Sequence, residues 1–135
     1  TYPGIKPEFI ESLSRYDGVV IAGTGLGHVP TNPGGDKITK SLLPAIKSLI
    51  DSGVAVVMAP QTIYGRLQMR VYKTGRLLKE IGVIGDGCDW LPEVALVKLM
   101  FALGHSKNIK KVEEFMLTNI AGEISKSSKV NAFLI

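Results

Sequence analysis

Gly23, Gly25 and Gly27 alternate with Thr24, Leu26 and His28 directly after the apolar run Val19 to Ala22. Backbone amides, a hydroxyl and an imidazole in one short loop could hold an anion or a polar substrate. Glycine lets the chain approach a ligand closely, or take dihedrals closed to other residues. In parallel α/β sheets ligands gather at the carboxyl ends of strands. Thr24, Gly25, Gly27 and His28 are therefore the first candidate site residues. Gln61, Thr62 and Tyr64 follow the next apolar run and form a second set; turn chemistry and capping are their other reading. Arg66, Arg70, Lys73 and Arg76 come at spacings of four, three and three. They make either one basic face for a nucleic acid such as tRNA or an ordinary solvated helix face.

Several chemistries are excluded. A dinucleotide fingerprint needs a G-x-G-x-x-G register. Counted from Gly23 the third glycine falls on His28, and counted from Gly25 it falls on Pro30. No acid follows the second apolar run to hold a ribose, and no G-x-x-x-x-G-K-[ST] occurs. One cysteine, Cys88, and two histidines give no zinc signature and permit no internal disulfide, which fits a reducing cytoplasm. An amino-terminal threonine is a nucleophile in some hydrolases, but Thr1 has no supporting constellation, and no nucleophile, base and oxyanion set assembles elsewhere. No apolar run reaches the roughly 18 residues of a membrane span, and the first residues lack a signal-peptide pattern. The 135 residues suit one domain, and an apolar share of 45% supplies a core. A net charge of +4 is mildly basic.

The elements follow from periodicity and punctuation. Thr1 to Pro7 reads as linker or loop, and Pro7 to Ser14 as a short helix with proline first and an acid in its opening turn. Val19 to Ala22 and Val54 to Ala59 read as buried strands. Pro30 to Asp36 is a surface loop. Between Ile38 and Ser52 apolar residues recur at three and four, as in an amphipathic helix; Pro44 inside the pattern argues for a break or a kink, or for a helix start near Leu43. Strand, helix, strand makes a βαβ unit with parallel pairing. It sets Pro60 to Gly65 beside the glycine loop. Tyr72 to Ile81 is a helix stopped by Gly82, and Val83-Ile84 a brief third strand or extended segment. The helix after Leu91-Pro92-Glu93 is apolar almost all round and reads as largely buried, with Lys98 its main polar interruption and Asp89 its cap. Gly104 ends it, with His105 a terminal cation. Asn108 to Leu117 is a last helix, burying Ile109, Val112, Phe115 and Met116. Residues 118–135 read as a tail of doubtful order, apolar enough at Ala132 to Ile135 to dock.

Four blocks in order carry a family resemblance: Gly23-Thr-Gly-Leu-Gly-His-Val-Pro30, Gln61-Thr-Ile-Tyr-Gly-Arg-Leu-Gln-Met-Arg-Val-Tyr-Lys-Thr-Gly75, Gly82-Val-Ile-Gly85 and Asp89-Trp-Leu-Pro-Glu-Val-Ala-Leu-Val-Lys-Leu99. Together they resemble the C-terminal lobe of the asparaginase/glutaminase family, over about Tyr2 to Leu117. The Leu-Gly-His loop, the Pro92 to Leu99 helix and Asn119 to Ile124 are similar above all to its archaeal glutamyl-tRNA(Gln) amidotransferase branch, the D subunits.

The resemblance implies a three-layer α/β sandwich, a small mostly parallel sheet flanked by helices, as in the family's Rossmann-like smaller domain. It implies that the catalytic threonines, aspartate and lysine lie in a larger N-terminal domain; the Gly-Gly-Thr-Ile and His-Gly-Thr-Asp motifs that carry them are not in this chain. The whole protein would hydrolyse glutamine and pass ammonia to a synthetase-like partner subunit that amidates Glu-tRNA(Gln), and this chain itself would hold no cofactor. This lobe would build the homodimer and complete the neighbouring subunit's pocket through its glycine loop. An asparagine often stands at the position of His28, so a substrate contact by His28 does not transfer directly. A free cytosolic L-asparaginase and a non-catalytic binding or dimerisation module holding a small anion stay open beside this reading.

Overall fold

A computed structural model describes the chain except Asn32, Pro33, Asp36 and residues 129–135. Two strands run parallel, β1 (Gly18–Gly23) and β2 (Ala55–Pro60), in register from Gly18 with Ala55 to Gly23 with Pro60. Both are β-branched, apolar runs, suited to a sheet covered by helices. Val83-Ile84 is extended and joins β2 by a single parallel bridge, with Ile84 N donating to Val56 O and Met58 N donating to Ile84 O.

Among the described residues five helices accompany the strands: α1 (Pro7–Glu11), α2 (Leu43–Asp51), α3 (Lys73–Glu80), α4 (Pro92–His105) and α5 (Ile109–Leu117). A 3-10 turn over Ser12–Arg15 continues α1, so the short helix read at Pro7 to Ser14 tightens after one turn. α1 packs on α2, α5 packs on α4, and α4 lies against both strands. The fold is thus a small α/β domain. Its core joins Trp90, Leu42, Ile46, Leu49, Met58 and Leu99.

Pro44 sits in the first turn of α2, where a missing N–H costs nothing, and Ser41 Oγ accepts from Leu43 N at 3.3 Å. The helix starts at Leu43 as the proline demands. Ile38 lies outside it and is 91% exposed, so the apolar period ran past the true start. Asn108 caps α5, its side chain accepting from Lys111 N at 3.2 Å. Among the described residues no helix is long and apolar enough to cross a membrane. The surface loop read at Pro30 to Asp36 falls partly, and the docking of Ala132 to Ile135 wholly, outside the described residues.

Two expectations for α4 are corrected. The helix is not buried all round: Val94, Leu96, Val97, Met100 and Phe101 are exposed, Val97 to 67%. Lys98, read as its polar interruption, is instead 7% exposed. The all-round apolar pattern thus has one face packed on the strands and one face exposed. Asp89 does not cap the helix either, since Leu91 is the N-cap and no side chain bonds there. Asp89 is engaged by Arg66 at 2.8 Å and by Ser125 N at 2.9 Å.

The 118–125 stretch is strapped to the body rather than trailing from it. Lys98 Nζ donates to Thr118 O and to Glu123 Oε1, both at 2.5 Å, and lies 5.6 Å from the centre of the Trp90 ring. Glu123 also accepts from the amides of Ile120 and Ala121, while Asn119 Oδ1 accepts from Gly122 N. Burial pushes the Glu123 carboxyl up, but the Lys98 bond and the backbone amides outweigh it and hold its pKa at about 2. A buried cation thus has a fixed counter-charge.

Candidate functional site

The glycine loop closes on itself at the carboxyl end of β1. Thr24 N donates to His28 O and His28 N to Thr24 O, each at 2.9 Å, an antiparallel bridge around Gly25, Leu26 and Gly27. Gly27 has φ of 100°, and a Cβ there would lie 2.8 Å from Leu67 Cδ2. Position 27 therefore requires glycine twice over, for its dihedral and for its close approach. Thr24 and Gly25 stand exposed at the tip, Gly27 is buried, and His28 is half-buried.

The segment after β2 lies beside this loop, as the βαβ reading requires. Gln61 N donates to Gly23 O and Gln68 N to Leu26 O, both at 3.0 Å. Gln61, Thr62 and Tyr64 are exposed on the same edge as Thr24. The Gln61 side chain is not free for a ligand: its amide donates to Thr1 O at 2.7 Å and to Ala22 O at 3.1 Å. Gly65 N donates to Thr62 O, a turn contact.

Sequence reasoning missed Tyr72, whose ring lies 5.4 Å from that of His28 at a tilt of 58°. Tyr72 opens α3, and the Met69 region brings it back under the loop. Gly75 makes that return fit, because a Cβ there would lie 2.5 Å from Met69 O. The only signal was indirect: a glycine inside a helical pattern implies close approach. His28 Nε2 is enclosed without a hydrogen-bond partner. Its ring is held by packing, with a polar atom unused.

The basic residues do not form one face. Arg66 turns inward, with its side chain 14% exposed, donating to Gly87 O, Asp89 and Ser125 O. Arg70 pairs with Asp86 at 2.7 Å, and Lys79 reaches the same carboxylate at 2.6 Å. Burial raises the Asp86 pKa, but these two cations and the Met69 amide bring it below the usual carboxylate value. Arg76 donates to the carbonyls of Arg70 and Val71, finishing the turn into α3. Arg70, Lys73 and Arg76 remain on the surface.

No second centre of chemistry competes with the loop among the described residues. Burial pushes the Cys88 thiol up to about 11, so it is not a thiolate at neutral pH. Among the described residues no three His, Cys, Asp or Glu gather as a metal site. The arrangement offers an exposed rim of Thr24, Gly25, Thr62 and Tyr64 with the half-buried His28 beside it, and no nucleophile and base assembled there.

A family profile described as the Glutaminase/Asparaginase C-terminal domain matches residues 1–116. The chain belongs to the asparaginase/glutaminase family. It is 48% identical over 136 residues to the glutamyl-tRNA(Gln) amidotransferase D subunit of Pyrococcus furiosus, covering 99% of this chain and 29% of that protein. Against the D subunit of Methanopyrus kandleri identity is 47%, covering 97% of this chain and 27% of the relative. Among solved structures, the thermostable L-asparaginase from Thermococcus kodakarensis superposes with a TM-score of 0.80 at 36% identity, over 92% of this chain and 36% of that one. L-asparaginase I from Vibrio cholerae gives 0.77 at 32% identity, over 93% and 36%. The chain therefore spans under a third of the curated relatives it matches, and about a third of the solved asparaginases. The stretch matched by the family profile takes in the glycine loop, α3 and α4.

Proposed function

We propose that this chain is the C-terminal lobe of a glutamine amidohydrolase subunit that releases ammonia for the conversion of Glu-tRNA(Gln) to Gln-tRNA(Gln). The observation that carries the reading is the match of nearly the whole chain, at 48% identity, to a protein named as the D subunit of that amidotransferase. The site geometry supports it. A rigid, exposed loop at the strand ends, without its own nucleophile, suits a wall of a pocket whose chemistry lies elsewhere. A threonine nucleophile in an N-terminal catalytic domain would attack the amide. Thr24, Gly25 and His28 would close the pocket of a second copy of the subunit.

The partners in this reading are the protein's own catalytic domain, a second copy, the synthetase-like subunit that consumes ammonia and tRNA(Gln). The exposed apolar face of α4 supports a covering partner. Arg70 and Lys73 are basic side chains left on the surface for a tRNA contact. The complex would work in the cytoplasm. A free L-asparaginase is the second reading, favoured by the similar solved structures.

In the full-length protein His28→Ala is expected to raise KM for glutamine about tenfold, on the order of 1.4 kcal/mol, with the fold intact by circular dichroism. An unchanged KM would remove the loop from the pocket. Faster hydrolysis of asparagine than of glutamine, without tRNA or a partner subunit, would favour the asparaginase reading.

A further inference from the structure

The His28 imidazole receives little support from its own loop. Gly25 and Gly27 carry no side chains to brace it, and a Cβ on Gly25 would still lie 3.9 Å from His28 Nδ1. The bridge to Thr24 fixes the His28 backbone but not the ring beyond it. Among the described residues no hydrogen bond reaches the ring, and Nε2 is enclosed without a partner. A side chain free to turn loses entropy when a ligand orders it, and that loss weakens binding. A loop that meets a ligand through this ring therefore needs a brace from elsewhere.

That brace is on α3. The Tyr72 ring lies 5.4 Å from the His28 ring at a tilt of 58°, inside the roughly 4.5–7 Å range and the tilted geometry that aromatic pairs favour. The backbone of Tyr72 is itself well fixed. It is the N-cap of α3, in an extended conformation, and its carbonyl accepts from Arg76 N at 3.1 Å. The Arg76 side chain spans the two carbonyls before it, Arg70 O at 3.0 Å and Val71 O at 3.1 Å. Gly75 lets α3 settle on Met69, and Met69 in turn packs beneath the loop, where a Cβ on Gly27 would lie 3.3 Å from Met69 Cγ. The loop and the first turn of α3 thus rest on one support. The Tyr72 ring is 58% exposed, so it adds little to the core.

We propose that Tyr72 is a positioning residue, whose ring holds the His28 imidazole in one orientation so that the glycine loop meets its ligand preformed. The inference rests on the reading that this loop closes an amidohydrolase pocket, and it adds the residue that orders the loop's imidazole. Ordering of this kind acts on binding and leaves the chemical step alone, so it belongs in KM and not in kcat. The Tyr72 hydroxyl has no part in it, because the contact is between ring and ring.

The test is the kinetics of glutamine hydrolysis by the full-length protein, with a double-mutant cycle between the two positions. Tyr72→Ala is expected to raise KM about fourfold, less than His28→Ala does, with kcat within about twofold of the parent. Tyr72→Leu, which keeps bulk without an aromatic face, should behave as Tyr72→Ala does, and Tyr72→Phe should stay within about twofold of the parent in KM. The double variant His28→Ala/Tyr72→Ala should match His28→Ala alone to within about twofold, since Tyr72 has nothing left to position. Multiplied effects in the double variant would mean that Tyr72 acts on the ligand by itself, and would overturn the inference. So would a KM for Tyr72→Phe as high as that of Tyr72→Ala, or a fall in kcat at constant KM. A raised KM in His28→Ala with none in Tyr72→Ala or Tyr72→Leu would overturn the positioning role while leaving the loop in the pocket. An unchanged KM in His28→Ala would overturn both together.

Discussion

Lys98 is the side chain whose setting most separates composition from structure. It is buried against Trp90, bonded to Thr118 O and paired with Glu123. Removing one partner of a buried pair leaves the other charge uncompensated, at roughly 3–5 kcal/mol. Lys98→Met is therefore expected to cost about 3 kcal/mol in urea denaturation of this chain; a loss under about 1 kcal/mol would show the strap to be decorative. The pair also sets a pH dependence. Glu123 has a folded pKa of about 2 against an ordinary 4.5, so it binds its proton more weakly when folded. Its stabilisation is full above pH 4.5 and fades as pH falls toward 2. The ceiling is about 3 kcal/mol, at about 1.4 per pKa unit. Glu123→Gln should flatten the stability curve in that acid window, and an unchanged curve would contradict the assignment. None of this was legible in the sequence, because the cation and its acid stand 25 positions apart and only the fold joins them.

At the scale of elements, α4 shows how far a pattern can be read. Its limits were legible, to within a residue, from Pro92, Glu93 and an unbroken helical run ending near Gly104. Which face was covered was not, since residues apolar on all sides carry no direction. Leu99→Ala, on the buried face, is expected to cost about 2–5 kcal/mol, while Val97→Lys, two positions earlier and 67% exposed, should change stability by under about 0.5 kcal/mol. Equal costs would mean that the two faces are misassigned. In α3 two effects oppose each other at Gly75. Ala is favoured over Gly in a helix by about 1 kcal/mol, but a Cβ would sit 2.5 Å from Met69 O. The clash is against backbone and dominates. Gly75→Ala should be net destabilising, by about 1–3 kcal/mol, and a stabilised variant would contradict the close approach that brings Tyr72 to His28. The βαβ unit itself was legible because β-branched runs, Pro44 and Gly53 punctuate it. The brief strand at Val83-Ile84 reduced to one bridge, since two residues offer only one side of pairing to β2.

For the whole molecule, the family could be read from four short blocks, because loop glycines and packed helices leave fixed spacings. The inward turn of Arg66 could not, since basic residues at helical spacing look alike whether they meet solvent or a carboxylate. A rim without a nucleophile and an exposed apolar face on α4 are what the lobe of a larger enzyme would present under the proposed function. The central claim is that the chemistry lies outside these 135 residues while the lobe serves it. The most direct measurement is ammonia release from glutamine, made in parallel on this chain and on the full-length protein. The account predicts turnover by the full-length protein and none by this chain. Turnover by the 135-residue chain alone would contradict it, and would send the search for a nucleophile back to Thr1, Thr24 and Thr62.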